Sequence, residues 1–304
     1  MIERTPILDF FTHLILFFGF LIAVAPFAMV IIASTHNLTD VNQTPMSLIP
    51  GSDLWVNIKT AWVSANLGRV LFNSMLVAIG VAAGKVIVSA FTAFAIVYFR
   101  FPGRTVMFWL IFITLMLPLE VRIVPTYAVA ADVLSPYQTI LDVTGITWLI
   151  QTITGVEIKM SFGLLNSYAG LILPLVATAT GTFLYRQFFL TIPDELTEAA
   201  RMDGAGPIRF FFDILLPLSR TNMAALGTIM FLWAWNQYLW PLLVTTDPSR
   251  YVVGTGLKQL IPNFGGIPEW NIAMAGTLVM MLPPMIVVVL MQRWFVRGLI
   301  STEK

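Results

Sequence analysis

Long apolar segments alternate with polar loops along this chain. A helix needs about 20 mostly apolar residues to cross a bilayer. Segments of that kind lie at residues 14–34, 70–98, 106–128, 168–189, 221–244 and 271–293. The first is too long, and its beginning too acidic (Glu3, Asp9), for a cleaved signal peptide. The pattern predicts an all-α membrane protein with six transmembrane helices in one domain, residues 1–304.

Basic residues in the loops predict the orientation of these spans. Residues 100–104 and the segment after residue 293 are short and rich in arginine and lysine. Such loops face the cytoplasm in membrane proteins. We therefore expect both termini and residues 191–220 to be cytoplasmic, and the long loops 35–69 and 245–270 to lie outside.

Residues 191–220 form a polar interruption that carries helix signals, TIPDELTEAARMDGAGPIRFFFDILLPLSR. Thr191 can cap a first helix, and Pro193 suits its opening turn. Asp194 and Glu195 place negative charge at the positive end of that helix. The stretch therefore predicts a short helix that begins close to residue 193.

The same interruption contains the signals for a turn and a second helix. Gly204, within the sequence Gly-Ala-Gly-Pro, can end the first helix by a backbone turn that a side chain would obstruct. A second helix is expected over residues 207–217. The resulting helix-turn-helix would present Ala199, Ala200 and the carboxylate of Glu198 to a partner, as a docking element rather than an active site.

Composition supports the membrane assignment and excludes several kinds of chemistry. The chain is 58% hydrophobic and 11% charged, whereas soluble domains carry about a quarter charged residues. It has no cysteine, two histidines far apart in sequence (His13, His36) and a net charge of +1, so we expect no catalytic residue, metal site or nucleic-acid partner. The sequence from Gly80 to Lys85 is too short for a phosphate-binding loop. Any ATP and Mg²⁺ would therefore be bound by another chain.

The spacing within residues 191–220 resembles the E-A-A…G…I…L-P loop of ABC importer permeases. That resemblance implies a type I importer permease fold, with this loop as a cytoplasmic coupling helix on the ATPase. The residues implied in coupling are Glu198, Ala199, Ala200, Asp203, Gly204, Ile214 and Pro217.

Most of the remaining chain resembles the carbohydrate-uptake group of these permeases, in particular those that import sn-glycerol 3-phosphate. The similar stretches are residues 45–51, 89–97, 111–118, 120–122, 235–242, 291–293 and 295–299. The departure is residues 131–165, expected as an extracytoplasmic insertion that forms a small apolar lobe on the membrane or against a partner.

The resemblance also implies an assembly and a location. A second, different permease would complete a heterodimer, two ATP-binding subunits would dock inside, and a periplasmic or extracellular binding protein would deliver the solute. The expected location is the bacterial cytoplasmic (inner) membrane, in contact with the lipid bilayer. The leading cargo is sn-glycerol 3-phosphate or a related anionic glycerol or sugar derivative, and a neutral sugar or oligosaccharide is the alternative.

Polar residues inside predicted spans are candidates for the translocation pathway. Glu120 and Arg122 lie between two prolines, and Arg122 could pair with an anionic cargo while Glu120 holds its guanidinium group. Asn236 and Gln237 are weaker candidates for contacts with hydroxyl groups. For Lys85 we expect a structural role, bonded to carbonyl groups or to a carboxylate in the bundle.

Two other classes of protein compete with this interpretation. An ion-coupled secondary transporter should show inverted repeats and broken helices at matching positions, and neither is evident in the sequence. A membrane-embedded enzyme should show a nucleophile or a metal-ligand constellation, and the sequence suggests none.

Overall fold

The computed structural model describes residues 6–114, 117–157, 159–177, 179–261 and 266–300, and no β-strand occurs among them. In chain order the helices are α1 (Pro6–Thr35), α2 (Leu38–Val41), α3 (Leu54–Ser64), α4 (Leu67–Tyr98), α5 (Arg104–Ile113), α6 (Leu119–Ala131), α7 (Ser135–Val143), α8 (Ile146–Thr154), α9 (Tyr168–Val176), α10 (Ala179–Phe189), α11 (Asp194–Met202), α12 (Pro207–Phe210), α13 (Leu216–Leu218), α14 (Arg220–Trp235), α15 (Leu239–Val244), α16 (Val253–Lys258) and α17 (Trp270–Ile300). A π-helical turn, Phe211–Leu215, joins α12 to α13.

Three helices are long and apolar enough to span a bilayer by themselves, namely α1, α4 and α17. The residues of the most apolar part of α1 are all exposed, as expected of a helix whose surroundings are lipid on every side. This helix begins at Pro6, eight residues before the predicted start at residue 14, because Ile7, Leu8, Phe10 and Phe11 extend its apolar surface on both sides of Asp9. These helices confirm the predicted all-α membrane class.

The other predicted spans are interrupted, a feature that the sequence analysis did not detect. The span 168–189 consists of α9 and α10, which meet at a bend of 45°. The span 221–244 consists of α14 and α15, with residues 236–238 between them. The span 106–128 is occupied by α5 and α6, and residues 115–116 lie outside the described part. If the bent pair α9 and α10 and the bent pair formed by residues 207–218 and α14 each count as one span, length and composition allow up to five crossings in the described residues.

The chain divides into two compact units, Met1–Leu71 with Thr255–Pro283 and Phe72–Gly254 with Pro284–Lys304. The single domain of residues 1–304 therefore stays a prediction. In the first unit, the buried Asn57 donates hydrogen bonds from Nδ2 to the carbonyl oxygens of Ser34, at 2.9 Å, and His36, at 2.7 Å. Asn271 donates to Asn57 Oδ1 at 2.8 Å. These bonds satisfy the carbonyl groups at the end of α1, which would otherwise be buried without partners.

In the second unit, Asn73 joins the start of α4 to segments distant in sequence. Its Nδ2 donates to the carbonyl oxygens of Ser249 and Tyr251, both at 2.9 Å. Tyr168 donates its hydroxyl hydrogen to Asn73 Oδ1 at 2.7 Å. The indole of Trp240, which is fully buried, donates to the carbonyl oxygen of Gly170 at 3.1 Å. Buried polar side chains of this kind specify one arrangement of the helices when all their bonds are made.

The insertion 131–165 contains α7 and α8, joined at Gly145 in the left-handed conformation. Two backbone hydrogen bonds close its base, Val133 N–H to Phe162 O at 2.9 Å and Leu164 N–H to Ala130 O at 2.8 Å. Val143, Trp148 and Ile153 are among its large exposed apolar side chains. The lobe therefore has the apolar surface that the sequence predicted, and its extracytoplasmic position stays a prediction.

The small-residue pair Gly80 and Gly84 brings α4 and α9 together. A Cβ atom on Gly84 would lie 2.6 Å from Val176 Cγ2, and one on Gly80 would lie 2.8 Å from Ile172 Cδ1. Glycine at these positions lets the helices pack more closely than any larger residue would allow.

We expect Gly84→Ala to destabilise the protein by about 1–3 kcal/mol, the usual cost of overpacking. Gly227→Ala in α14 is the matched control, since its Cβ would lie 3.8 Å from Val86 Cγ2, an ordinary contact. Alanine should stabilise a helix by about 1 kcal/mol relative to glycine at such a position. Thermal unfolding of the purified importer should therefore shift in opposite directions for the two variants. Equal shifts would show that the α4–α9 contact is not tight.

Candidate coupling and translocation sites

The first helix of the 191–220 stretch, α11, begins as the charges predicted but with a different capping residue. Pro193 occupies the N-cap position, and Asp194 and Glu195 lie in the first turn. The predicted cap by Thr191 is wrong, because its hydroxyl donates to the carbonyl oxygen of Phe188 at 2.7 Å, at the end of α10. Thr191 thus completes the preceding helix, and the acidic residues remain to stabilise the start of α11.

Gly204 ends α11 as predicted. Its φ angle is +74°, a conformation that glycine adopts without steric cost. Two hydrogen bonds close the turn, Ala205 N–H to Ala200 O at 2.9 Å and Gly204 N–H to Arg201 O at 3.0 Å. This is the Schellman arrangement, in which the residues after a helix satisfy its last carbonyl groups. The next helix starts immediately afterwards, with Pro207 in its first turn.

Ala199 and Ala200 of α11, which the sequence predicted on one face, differ in their exposure. Ala200 is 4% exposed, whereas Ala199 and Glu198 face outward. Asp203 and Gly204 at the C-terminal end are also exposed, as is Met202 with 83% of its surface. The helix therefore packs on its own chain through Ala200 and leaves its other side, with Ala199 and the carboxylates, exposed.

The second helical part fixes this surface to the membrane helices through aromatic rings. Phe211 stacks on Phe91 of α4 at 4.7 Å between ring centroids and lies 4.9 Å from Phe94. Phe211 and Leu215 are fully buried, while the predicted coupling residues Ile214 and Pro217 are half-buried. The π-helical turn places Phe211 and Leu215 on the inner side. This segment meets α14 at 75°, so it connects α11 to a membrane helix through a sharp bend.

The pathway candidates Glu120 and Arg122 both lie in α6 but do not pair with each other. Glu120 is exposed and Arg122 is half-buried. In the described part of the chain neither takes part in an ion pair, and the buried Nε atom of Arg122 has no hydrogen-bond partner. The idea that Glu120 holds the guanidinium group is therefore wrong for this structure. Two residues apart on a helix, the side chains point in different directions.

Lys85 contacts an aromatic ring instead of the carbonyl groups or carboxylate expected from the sequence. It is 5% exposed, and its Nζ atom lies 3.5 Å from the centroid of the Trp233 ring. Among the described residues no carboxylate is within ion-pair distance of Lys85. Arg122 is close enough to act on it electrostatically. Lys85 thus lies on the Trp233 ring and within electrostatic range of Arg122. In the described part of the chain, neither cation forms an ion pair.

Asn236 and Gln237 lie at the break between α14 and α15. Asn236 donates from Nδ2 to the carbonyl oxygen of Leu232 at 2.9 Å, and Gln237 donates from Nε2 to that of Trp233 at 3.3 Å. Their amide groups thus satisfy the last carbonyls of α14. This local capping role accounts for both side chains without a cargo.

The described residues contain no group of three metal-ligating side chains close enough to hold an ion. Three features bear on the predicted coupling and pathway roles. They are the exposed face of α11, proposed below as a docking surface, the segment 207–218 that packs on α4, and the cation cluster of Lys85 and Arg122.

Comparison with known proteins places these features in a family. The family described as "Binding-protein-dependent transport system inner membrane component" matches residues 85–301. The sn-glycerol-3-phosphate transport system permease proteins UgpE of Pectobacterium atrosepticum and Agrobacterium fabrum are 47% and 48% identical, each over the whole of both chains.

A solved structure has the same fold. It is the crystal structure of a bacterial ABC transporter involved in the import of the acidic polysaccharide alginate, with a TM-score of 0.76, 17% identity, and coverage of 97% of this chain and 100% of the other. The chain therefore belongs to the family of binding-protein-dependent transport system inner membrane components, as a permease subunit of an ABC importer.

Proposed function

We propose that this permease subunit forms half of the translocation pathway for a small anionic polyol or sugar derivative, with sn-glycerol 3-phosphate as the leading candidate. The observation that carries the proposal is the pair of cations, Lys85 and Arg122. In the described part of the chain, neither forms an ion pair with a carboxylate. The UgpE relatives, named for sn-glycerol-3-phosphate transport, support the same choice.

The physical argument rests on the cost of charge inside a membrane protein. A buried cation without a counter-ion is unfavourable, and the Trp233 ring, whose contact contributes about 2 kcal/mol when desolvated, compensates it only partly. A passing phosphate ester would complete the compensation. Arg122, whose Nε atom has no partner, can bind phosphate through two parallel hydrogen bonds. Lys85 is too buried to touch the cargo and acts through its electric field, which is weakly screened in a low dielectric.

Transport assays with the complete importer in proteoliposomes test this proposal. Labelled sn-glycerol 3-phosphate should be taken up with ATP, and an excess of other phosphate esters of glycerol should compete. Glycerol and maltose, which carry no charge, should not compete. Efficient uptake of a neutral sugar with no uptake of the phosphate ester would contradict the proposal and favour the neutral-sugar alternative.

For the assembly, we propose a heterodimer with a second permease, two ATP-binding subunits that carry ATP and Mg²⁺, and an external solute-binding protein. In this arrangement α11 docks on one ATP-binding subunit through Glu198, Ala199 and the exposed end at Asp203. ATP-driven closure of the ATPases would displace α11. The segment 207–218, anchored by the rings of Phe211 and Phe91, would then transmit this movement to α4 and α14.

The proposed orientation predicts which parts of the chain a membrane-impermeant thiol reagent reaches. The sequence has no cysteine, so single cysteines can be introduced at Ser52 and at Met202, both of which are exposed. In spheroplasts, whose cell wall has been removed but whose cytoplasmic membrane is sealed, only Ser52→Cys should react. Met202→Cys should react after the membrane is opened. Labelling of Met202→Cys in sealed cells would reverse the proposed orientation.

A further inference from the structure

A cavity of about 420 Å³ lies between the ends of α4, α5 and α10. Its polar side is formed by Arg104, Arg186 and Gln187, and its apolar wall includes Phe108, Trp109 and Phe112. The coupling surface on α11 contributes no residue to it. None of the roles assigned above to the cation cluster or to α11 explains two arginines in one cavity.

Neither arginine of this cavity has an acidic partner in the described part of the chain. Arg104 donates from Nη1 to the carbonyl oxygen of Phe99 at 3.5 Å, which is a long and weak hydrogen bond. The guanidinium group of Arg186 lies over an aromatic ring, with its Cζ atom 4.2 Å from the centroid of Phe108. Since each guanidinium has five N–H donors, most of the donors remain for an anion within the cavity.

The outer face of α5 identifies the surroundings of the cavity. Val106 and Leu110 are 62% and 61% exposed, and Met107, Trp109 and Ile113 are exposed as well. An exposed apolar stripe that contains a tryptophan and follows an arginine at the first position of the helix is typical of a helix that enters lipid from the membrane boundary. Arg104 is the first residue of this helix. The cavity therefore opens at the depth where lipid headgroups lie, and with the proposed orientation this is the cytoplasmic leaflet.

We propose that Arg104 and Arg186 bind the phosphate of an anionic phospholipid whose acyl chains lie along α5. Basic pockets between membrane helices bind such headgroups, and guanidinium groups match the geometry of phosphate oxygens. The stacking of Arg186 on Phe108 orients its guanidinium group before the lipid arrives. This site is separate from the cation cluster of Lys85 and Arg122 and from the cargo.

Photolabelling of the complete importer tests the site. The importer is placed in nanodiscs of phosphatidylcholine that contain a small amount of photoreactive phosphatidylglycerol, and the label on this chain is quantified and mapped. We expect labelled peptides from α5 and α10, and about fivefold less label in Arg104→Gln and in Arg186→Gln, since each basic contact with an anionic lipid contributes about 1 kcal/mol. Arg186→Lys keeps the charge without the planar fork and should retain part of the labelling.

Arg293→Gln is the matched control, because Arg293 is exposed on α17 and does not line the cavity. Its labelling should equal that of the unmodified protein. A second measurement needs no variant: unlabelled phosphatidylglycerol should compete for the unmodified site, whereas additional phosphatidylcholine and dissolved inorganic phosphate should not.

Three results would overturn the proposal. One is unchanged labelling when both arginines are replaced in an importer that assembles normally. Another is displacement of the lipid by inorganic phosphate, which would show a site for soluble anions. The third is protection of a Gln187→Cys thiol from a small reagent in every lipid composition, which would show that protein rather than lipid covers the cavity.

Discussion

Replacing Gly204 by valine should leave the permease in the membrane but reduce ATP-driven uptake by at least about tenfold. Gly204 has a φ angle of +74°, where a β-branched residue costs about 1–3 kcal/mol. No atom lies within 4 Å of the position that its Cβ would take, so the cost arises from the backbone itself. Because α11 has only nine residues, relief of this strain would unwind its last turn and displace the proposed docking surface.

The same substitution two residues further on is the matched control. Gly206 has φ −72° and also has open space around its Cβ position, so Gly206→Val adds the same side chain without backbone strain. Gly204→Asn should also be tolerated, since asparagine enters the left-handed region readily. Uptake, ATPase activity and retention of the ATPases during purification should all fall in Gly204→Val only. Normal uptake by Gly204→Val would show that the turn does not position the docking surface.

Replacing Arg122 by glutamine should slow uptake of the anionic cargo about tenfold or more. A hydrogen bond to a charged group contributes roughly 1.5–3 kcal/mol, and each 1.4 kcal/mol is about a factor of ten. Arg122→Lys should restore only part of the rate, because it keeps the charge without the planar fork. Lys59→Gln is the control for a general loss of positive charge, since Lys59 is exposed on α3.

Lys85→Met separates an electrostatic role from a structural one. Methionine keeps much of the shape, and removal of a buried charge without a counter-ion should leave thermal stability unchanged or raise it. Uptake should nevertheless fall, by less than in Arg122→Gln, because Lys85 acts through its field. If Arg122→Gln and Lys85→Met are expressed and assembled normally and both take up cargo at the wild-type rate, the cation cluster has no role in transport.

Together these predictions describe a permease rather than an enzyme, in keeping with its family. The docking surface and the cation cluster belong to the same compact unit, in which α4 carries both Lys85 and the ring of Phe91 that supports Phe211. A movement of α11 would therefore reach α4 through packed aromatic rings. Close-packed protein interiors have low compressibility and transmit strain.

Several features could be predicted from the sequence because they depend on neighbouring residues only. The membrane class follows from the length of the apolar segments. The ends of α11 follow from Asp194, Glu195 and Gly204, since charge near a helix end and a glycine after it act over a single turn. The spacing of Gly80 and Gly84 is local as well: two small residues one turn apart make a flat strip on a helix, which favours close helix packing.

Other features depended on the tertiary structure, because they join segments that are far apart in sequence. The partner of Lys85 is Trp233, on another helix, and no local pattern relates the two. Likewise, Ala199 and Ala200 are alike in the sequence, and only the packing of α11 buries one and exposes the other. The apolar content that reveals a span does not reveal where it breaks, since the carbonyl groups freed at a break are satisfied by side chains such as Asn236. Burial and the pairing of polar groups are properties of the assembled helices, so they were decided by the fold.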